Sequence, residues 1–474
     1  MGACAKNDRH LVPQDLGSGP SIQVYASITP DNDGLWSVDI TTSELVHGLI
    51  FDRNTGDHRQ KSWALDDSAF ILERIDQKDI VKRQDGAVFN NLSAKITPYR
   101  DPIIKEYTLF GAFTNGADRV YAGQFRLSAV DADFFIMPTA QNLIFNPGNF
   151  DSFFGDNERR NGPYSLTSKS HQSDGYVIYG DVPVTELAGA KFMIDPGAPE
   201  WIATGVQNFM KSGSDYFEQM LGPATGPDIL TLISFDPDET SSGVSIEGGV
   251  LADQVHFHIS GSGLANPDPD VVNHFGWVAI HEAAHTWNAF GAYSPEYFFI
   301  DPNEPENVIA DAQWLHEGGA EYLTYKAVIR RSLTSAEYAD SRLTEFYDEC
   351  VSALKRGPLN LAANENRFED YYSCGMIIGL MTDAACRYSE IEYEDIWLRM
   401  LAKTGEDNRY GQELYFDALD ECAMGADANR AIRQMATGSI EDPRIFLENA
   451  FDQLHVTIRT DRDYISFDPD FIRK

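Results

Sequence analysis

The chain has 474 residues, of which 43% are hydrophobic, and its formal net charge at pH 7 is −36. The hydrophobic content is that of a globular protein, and the length predicts about two to four domains. A charge this negative repels phosphate groups, so the composition excludes electrostatic binding to nucleic acid or to an anionic membrane surface. No run approaches the roughly 20 apolar residues of a transmembrane helix, so we expect no membrane-spanning segment.

The first part of the chain has the pattern of β-strands. Between Ser21 and about Val184, short runs of alternating, β-branched and aromatic residues are separated by turn sequences such as Asp31-Asn32-Asp33-Gly34. We therefore predict an N-terminal β-sandwich-like domain over residues 1–185.

The pattern changes after Asp195. Residues 199–222 have helical periodicity, whereas residues 229–236 and 255–260 resemble buried strands, which together indicate a mixed α/β domain over residues 186–330. Beyond it, residues 331–474 are largely helical in pattern and predict a C-terminal helical lobe. Thr334 followed by Glu337 predicts a capping box in this lobe, and Asp442 before Pro443 predicts another helix start. The predicted fold class is multidomain α+β.

The segment His281-Glu282-Ala283-Ala284-His285 is the most informative of the chain. On a helix, histidines at i and i+4 lie one turn apart on the same face, so both rings can bind one Zn²⁺. Glu282 is then placed to take a proton from a water molecule. The flanking residues are mostly apolar and predict a buried helix, where unpartnered His and Glu side chains would be costly. We therefore predict a zinc site with Glu282 as a catalytic residue.

A second helical pattern, residues 311–326, contains the expected third ligand. A catalytic zinc usually has three protein ligands and one open position, and we assign Glu317 as the third. Glu321 lies one turn further on, where it can accept the ring N–H of a zinc histidine and fix its tautomer. An exposed carboxylate is the alternative for Glu321.

These two segments resemble those of a known group of enzymes. HEAAHTWN followed by WLHEGGAEY resembles the gluzincin metallopeptidases, and most of all the glycyl aminopeptidase family, whose motif is HExxHxWN and then W-x-x-EG. Asn288 completes the first motif. We expect it, like Glu321, to contact a metal ligand without binding the metal itself. The chain is also similar to the aminopeptidase N and leukotriene A4 hydrolase group. The resemblance implies a thermolysin-like catalytic domain.

The same relatives have a tyrosine in a Y-x-x-G context that donates a hydrogen bond to the oxyanion of the reaction. Tyr371-Tyr372-Ser373-Cys374-Gly375 fits this pattern, with Tyr372 as the match and Tyr371 as the alternative. Aminopeptidases of this kind also bind the substrate's free amine through a glutamate on the strand before the zinc helix. Here Glu247-Gly248-Gly249 occupies that region and matches the family segment poorly, which leaves the exopeptidase specificity open. We predict these three residues as substrate-binding, with Glu247 as the candidate anchor for the amine.

Two further departures from the family pattern lie near the site. Residues 286–316 form a longer insertion than these families have, which we interpret as a wall or lid over the cleft. His316 stands where the relatives have Asn or Ser, so an additional ligand, a substrate contact and an ordinary helix residue are all open.

The cysteines bear on the cellular compartment. Cys350, Cys374, Cys386 and Cys422 would form two disulfides in an exported protein, with three possible pairings, or remain buried thiols in a cytosolic one. Gly2-Ala3-Cys4 resembles the end of a bacterial lipobox, which suggests a lipid anchor at Cys4 and an extracytoplasmic location, in the periplasm or at the cell surface.

The predicted function is a zinc-dependent metallopeptidase, aminopeptidase-like, with peptides as substrates. Two alternatives are an endopeptidase of narrow specificity and a non-catalytic extracytoplasmic binding lipoprotein that retains the fold. Glu282 favours an enzyme, because a structural zinc site does not need it.

Overall fold

The computed structural model describes residues 21–54, 56–75, 78–101, 103, 107–155, 158–167, 175–187, 190–224, 229–237, 243–251, 253–288, 294–295, 299–300, 308–309, 312–405, 409–461 and 464–466. The predicted lipid anchor at Cys4 lies outside these residues. Of the predicted insertion at residues 286–316, the parts between 289 and 311 also lie outside them, except for 294–295, 299–300 and 308–309. None of the helices in the described part of the chain is long and apolar enough to cross a membrane.

The first part of the chain is β-rich, as predicted. Its elements are β1 (Ile22–Pro30), β2 (Trp36–Val46), β3 (Gly48–Phe51), α1 (His58–Ser62), β4 (Trp63–Leu65), β5 (Phe70–Ile75), β6 (Lys78–Arg83), β7 (Phe89–Ile96), β8 (Phe110–Ala112), β9 (Asp118–Tyr121), β10 (Leu127–Val130), β11 (Thr139–Phe145), β12 (Phe153–Gly155), β13 (Glu158–Arg160), β14 (Tyr164–Thr167) and β15 (Tyr176–Tyr179). They form three sheets with the strand orders β14-β11-β1-β2-β7-β4, β10-β3-β6-β5 and β13-β12-β15-β9-β8.

Alternation explains how these sheets bury one face. In β1 the side chains of Ile22, Val24, Ala26 and Ile28 are buried, whereas the residues between them are partly or fully exposed. Successive side chains of a strand point to opposite faces, so this period of two places one apolar row in the core. That row joins a hydrophobic cluster that also includes Leu230, Leu232 and Leu251 of the next part of the chain.

A mixed sheet with helices on one face follows. Its elements are β16 (Val184–Leu187), β17 (Ala190–Ile194), α2 (Glu200–Leu221), β18 (Leu230–Asp236), β19 (Ser245–Leu251), β20 (Gln254–Ser260) and α3 (Pro269–Asn288). The strand order is β16-β17-β18-β20-β19, in which β17, β18 and β20 are parallel. In the described part of the chain β19 is an edge strand, paired antiparallel with β20 alone. Helices α2 and α3 share a hydrophobic core with Phe257 and Ile259 of β20.

The last part of the chain is mainly helical. Its elements are β21 (Ser294–Pro295), β22 (Phe299–Ile300), β23 (Val308–Ile309), α4 (Gln313–Arg331), α5 (Ala336–Arg356), α6 (Glu369–Cys386), α7 (Tyr393–Leu401), β24 (Arg409–Tyr410), α8 (Gln412–Leu419), α9 (Gly425–Thr437), α10 (Pro443–Gln453), β25 (Arg459–Asp461) and β26 (Tyr464–Ser466). The boundaries 185 and 330 between the predicted domains remain predictions.

Helices α4 and α6 cross at two glycines. A Cβ atom on Gly318 would lie 2.2 Å from the Cα atom of Gly375, so neither position has room for a larger residue. This close approach brings the start of α6 next to the helix that contains Glu317, and it determines where Tyr372 lies.

Two disulfides brace the helical region. Cys350 is bonded to Cys374, which joins α5 to α6, and Cys386 is bonded to Cys422, which joins the end of α6 to the segment after α8. Of the pairings left open by the sequence, the structure therefore has the one that links Cys350 to Cys374.

Candidate metal centre

The helix α3 places both predicted zinc histidines inside the protein. Its apolar residues are buried in the core shared with α2 and β20, namely Phe275, Trp277, Ala279, Ile280, Ala283 and Ala284. His281 and His285 are 5% and 4% exposed, and they lie one turn apart on the side of α3 that faces α4. Glu317 in the second turn of α4 faces them, so the three predicted ligands meet between two neighbouring helices.

The three donor atoms form a small triangle. The Nε2 atoms of His281 and His285 are 3.0 Å apart, and Oε2 of Glu317 lies 3.6 Å from the first and 3.3 Å from the second. In a tetrahedral zinc site with bonds of about 2.0 to 2.1 Å, neighbouring donor atoms are separated by about 3.3 Å. Two imidazoles and one carboxylate at this spacing are the donor set of a catalytic zinc site, so these residues fit the metal that the sequence predicts.

The charges of the metal-free cluster are strongly coupled. Burial raises the pKa of Glu317, but the adjacent His285 and His281 lower it more, so this pKa lies well below its ordinary value. Burial lowers the pKa of His281, but Glu321, Glu317 and Glu282 raise it to about 9.

Glu282 lies beside the triangle and faces strand β19. It is 6% exposed, and burial is the main cause that raises its pKa above the ordinary value. A Cβ atom on Gly248 would lie 2.5 Å from Oε1 of Glu282, which places this carboxylate directly against the backbone of the edge strand. A buried carboxylate with a raised pKa is a candidate for proton transfer at this position.

The two predicted supporting residues contact the far sides of the histidine rings. Oδ1 of Asn288 is 2.8 Å from Nδ1 of His285, and Oε1 of Glu321 is 3.4 Å from Nδ1 of His281. The other oxygen of Glu321 accepts a hydrogen bond of 2.5 Å from the indole N–H of Trp277. The carboxamide of Asn288 therefore favours the tautomer of His285 in which Nδ1 bears the proton and Nε2 is available to a metal. Glu321 lies at ion-pair distance from Nδ1 of His281 without a hydrogen bond to it.

The structure separates the two candidate tyrosines. The ring of Tyr372 stacks on that of His281 with a centroid distance of 5.8 Å, and burial together with Glu317 and Glu282 raises its pKa well above the ordinary value. Tyr372 therefore stays protonated as a hydrogen-bond donor. The hydroxyl of Tyr371 instead accepts the backbone N–H of Ala363 at 3.0 Å. Tyr372 is thus the tyrosine that lies at the predicted metal site.

The three predicted substrate-binding residues lie on β19, but they do not share a face. A Cβ atom on Gly248 would point at Glu282, whereas one on Gly249 would lie 2.7 Å from Nε2 of His256. Since side chains alternate along a strand, Glu247 belongs to the face of Gly249, away from Glu282. The position that faces the metal site is therefore a glycine without a side chain.

Tyr410 is a buried residue of the site that no sequence motif predicts. Its hydroxyl lies 2.9 Å from Nδ1 of His316 and donates a hydrogen bond of 2.6 Å to the backbone oxygen of Asn288. His316 was noted in the sequence as a departure from the family pattern, but no local motif indicates a tyrosine 94 residues further along the chain.

No protein-family model matches the sequence, and no curated protein matches it. Solved structures do match. An aminopeptidase N family protein from Idiomarina loihiensis has a TM-score of 0.65 at 11% identity, over 92% of this chain and 79% of that one. An M1 zinc metallopeptidase from Deinococcus radiodurans has a TM-score of 0.45 at 14% identity, over 89% of this chain and 94% of that one. Native yeast LTA4 hydrolase has a TM-score of 0.45 at 11% identity, over 92% and 67%. The chain therefore shares the overall fold of the Idiomarina protein.

Proposed function

We propose that this protein is a zinc-dependent metallopeptidase of the gluzincin type. The observation that carries the proposal is the triangle of donor atoms from His281, His285 and Glu317, with Glu282 directly beside it. The motifs HExxHxWN and W-x-x-EG support a relation to the glycyl aminopeptidases, with residues 186–330 as a thermolysin-like catalytic domain. The fold shared with an aminopeptidase N family protein is consistent with this proposal.

Each residue of the site has a separate role in the proposed reaction. Zinc, when bound by the two histidines and Glu317, supplies Lewis-acid polarisation of the scissile carbonyl and lowers the pKa of a water molecule. Glu282 accepts a proton from the attacking water and delivers it to the leaving amine. The hydroxyl of Tyr372 donates a hydrogen bond to the oxygen that becomes negative as the tetrahedral intermediate forms.

The peptide substrate is proposed to lie along β19. Among the described residues this strand pairs only with β20, so its other edge can pair with an extended peptide as an added strand. Gly248 leaves room for the peptide backbone next to Glu282. In the aminopeptidase-like form of the proposal, Glu247, Gly248 and Gly249 line the amino end of the substrate.

One observation favours a second candidate, an endopeptidase of narrow specificity. Glu247 belongs to the strand face opposite Gly248, so the position that faces Glu282 offers no carboxylate to a free amine. An enzyme that does not recognise the free amine would cleave blocked peptides as readily as free ones.

We also propose an extracytoplasmic location, with a lipid anchor at Cys4. The two disulfides in the helical region support this location, because disulfides persist mainly in oxidising compartments.

The test compares the wild type with Glu282→Gln. We expect one zinc per chain in both proteins by elemental analysis, and a loss of hydrolysis of about 10² to 10⁴-fold in the variant, the usual contribution of a general base. A panel of free and N-acetylated peptides separates an aminopeptidase, which cleaves only the free ones, from an endopeptidase. Zinc without cleavage in the wild type would favour the non-catalytic binding protein, and absence of zinc would refute the metal site.

A further inference from the structure

His316 is the one unusual residue of the site whose role the proposed function leaves open. It lies in the first turn of α4, is 5% exposed, and its ring centroid is 4.5 Å from that of His285. Its Nε2 atom is 4.0 Å from Oε1 of Glu317. Two roles are chemically available: a fourth metal ligand through Nε2, or a positioning residue through Nδ1.

The donors and acceptors around Tyr410 determine the tautomer of His316, and the spacing of the donor atoms then distinguishes the two roles. The Tyr410 hydroxyl has one proton, and it lies 2.6 Å from the backbone oxygen of Asn288, which can only accept. The same hydroxyl lies 2.9 Å from Nδ1 of His316, so it must be the acceptor there. Nδ1 of His316 therefore bears a proton and donates it to Tyr410.

Asn288 connects this pair to a metal ligand. Its Nδ2 atom donates to the backbone oxygen of His316 at 3.0 Å, which assigns the other end of the amide as Oδ1. Oδ1 then accepts the proton of Nδ1 of His285 at 2.8 Å, and Nε2 of that ring faces the other two donor atoms. Asn288 is thus held by the ring of His285, by the backbone oxygen of His316 and by the hydroxyl of Tyr410, and the side chain of His316 acts on Asn288 through that hydroxyl.

The resulting network joins three separate parts of the chain. Asn288 is the last residue of α3, His316 belongs to α4, and Tyr410 belongs to β24. Tyr410 is fully buried and packs edge-on against Trp397 with a centroid distance of 5.5 Å, so its hydroxyl has a rigid support. Within the described residues, the group of donor atoms close enough to share one metal consists of His281, His285 and Glu317, without His316.

We propose that His316 is a positioning residue: with the Tyr410 hydroxyl it holds Asn288, and through Asn288 it orients the imidazole of His285 toward the metal. This inference rests on the proposed function, because it requires the zinc site. Residues behind metal ligands typically change metal affinity about 10 to 100-fold when they are lost.

Two substitutions of His316 imitate different ring nitrogens. The amide nitrogen of Asn lies close to the place of Nδ1, so His316→Asn keeps a donor to Tyr410. The amide of Gln reaches the place of Nε2, so His316→Gln keeps a polar group there and loses the donor. Tyr410→Phe removes the acceptor and donor together. Tyr415→Phe is the matched control, because Tyr415 is equally buried and its hydroxyl contacts Thr382 instead.

The readout is zinc affinity of the full-length protein, measured by competition with a chromophoric chelator, together with the visible spectrum of the cobalt-substituted protein. We expect His316→Asn and Tyr415→Phe to bind zinc within about 3-fold of the wild type, and His316→Gln and Tyr410→Phe to bind about 10-fold or more weakly with altered cobalt spectra. Thermal unfolding of the metal-free proteins identifies any variant that does not fold. The difference in zinc affinity between His316→Asn and His316→Gln then tests the positioning role.

The opposite order, with His316→Gln like the wild type and His316→Asn weak, would identify Nε2 as a ligand and overturn the inference. Equal affinity of all variants would overturn it as well and leave the metallopeptidase intact. A wild type that does not bind zinc would refute both.

Discussion

A Cβ atom on Gly248 would lie 2.5 Å from Oε1 of Glu282, closer than two such atoms approach without displacement. The edge strand and the proposed general base are therefore so close that only glycine leaves the carboxylate where it is. The atom that would be displaced is the end of a flexible side chain, so a larger residue moves the carboxylate while the fold is retained.

Gly248→Ala is therefore expected to lower kcat about 10 to 100-fold, since misplacement of a reacting group by about 1 Å has effects of this size. Zinc content and the melting temperature should stay at their wild-type values. Gly162→Ala is the control, because a Cβ atom at Gly162 meets nothing within 4 Å. Wild-type kcat in Gly248→Ala would show that the carboxylate does not need its observed position.

The two neighbouring tyrosines of α6 give a matched pair of variants. Tyr372→Phe removes the hydroxyl beside the metal site, and we expect kcat to fall about 10² to 10³-fold with KM and zinc affinity unchanged. Tyr371→Phe removes the acceptor of the Ala363 N–H and should cost about 1 kcal/mol of unfolding free energy at wild-type kcat. Steady-state kinetics measures kcat and urea unfolding measures the unfolding free energy. If Tyr371→Phe lowered kcat and Tyr372→Phe did not, the hydrogen-bond donor to the oxyanion would be Tyr371.

How much of this arrangement the sequence predicts depends on the distance along the chain between the residues concerned. The spacing of His281 and His285 is local, because a helix alone brings i and i+4 together, and their convergence with Glu317 follows the motif. The β-rich and helical regions were likewise predicted from local periodicity. Helix ends were less certain: Asp442 caps α10 as predicted, but the cap of α5 is Ser335 and the predicted capping box at Thr334 was wrong.

Contacts between residues that are far apart in the chain have no local sequence pattern from which they could be predicted. The hydroxyl of Tyr410 contacts the backbone of Asn288, 122 residues away in the chain, and Gly248 contacts Glu282 because the edge strand β19 packs against α3. Such pairs depend on how whole elements pack, which the periodicity of one segment does not determine. The pairing of the four cysteines was undetermined for the same reason.

The bond between Cys350 and Cys374 closes a loop of 24 residues and anchors α6 two residues after Tyr372. The entropy of a loop of this length predicts a loss of about 3 kcal/mol of unfolding free energy when both cysteines are replaced by alanine. Urea unfolding of the double variant measures this, and replacement of Cys386 and Cys422 is the comparison, with a loop of 36 residues and a similar expected loss. An unfolding free energy that is unchanged would contradict the bracing role.

His258 makes stability depend on pH. Burial, and then the positive charge of Arg119, lower the pKa of this histidine from 6.5 to about 4. As pH falls below 6.5 the unfolded chain takes up a proton that the folded protein does not, so the stabilisation is complete above pH 6.5 and is lost between pH 6.5 and 4.

His258→Asn keeps a polar partner for the Ser234 hydroxyl, which lies 3.0 Å from Nδ1 of His258, but cannot take up a proton. Between pH 7.5 and 4.5 the wild type should therefore lose about 2 to 3 kcal/mol more unfolding free energy than this variant. Chemical denaturation at both pH values gives the difference, and His47→Asn, at an exposed position of the β-rich region, should behave like the wild type. If His258→Asn lost as much stability as the wild type over this range, the pKa of His258 would be the same in the folded and unfolded protein, which would contradict the lowered value.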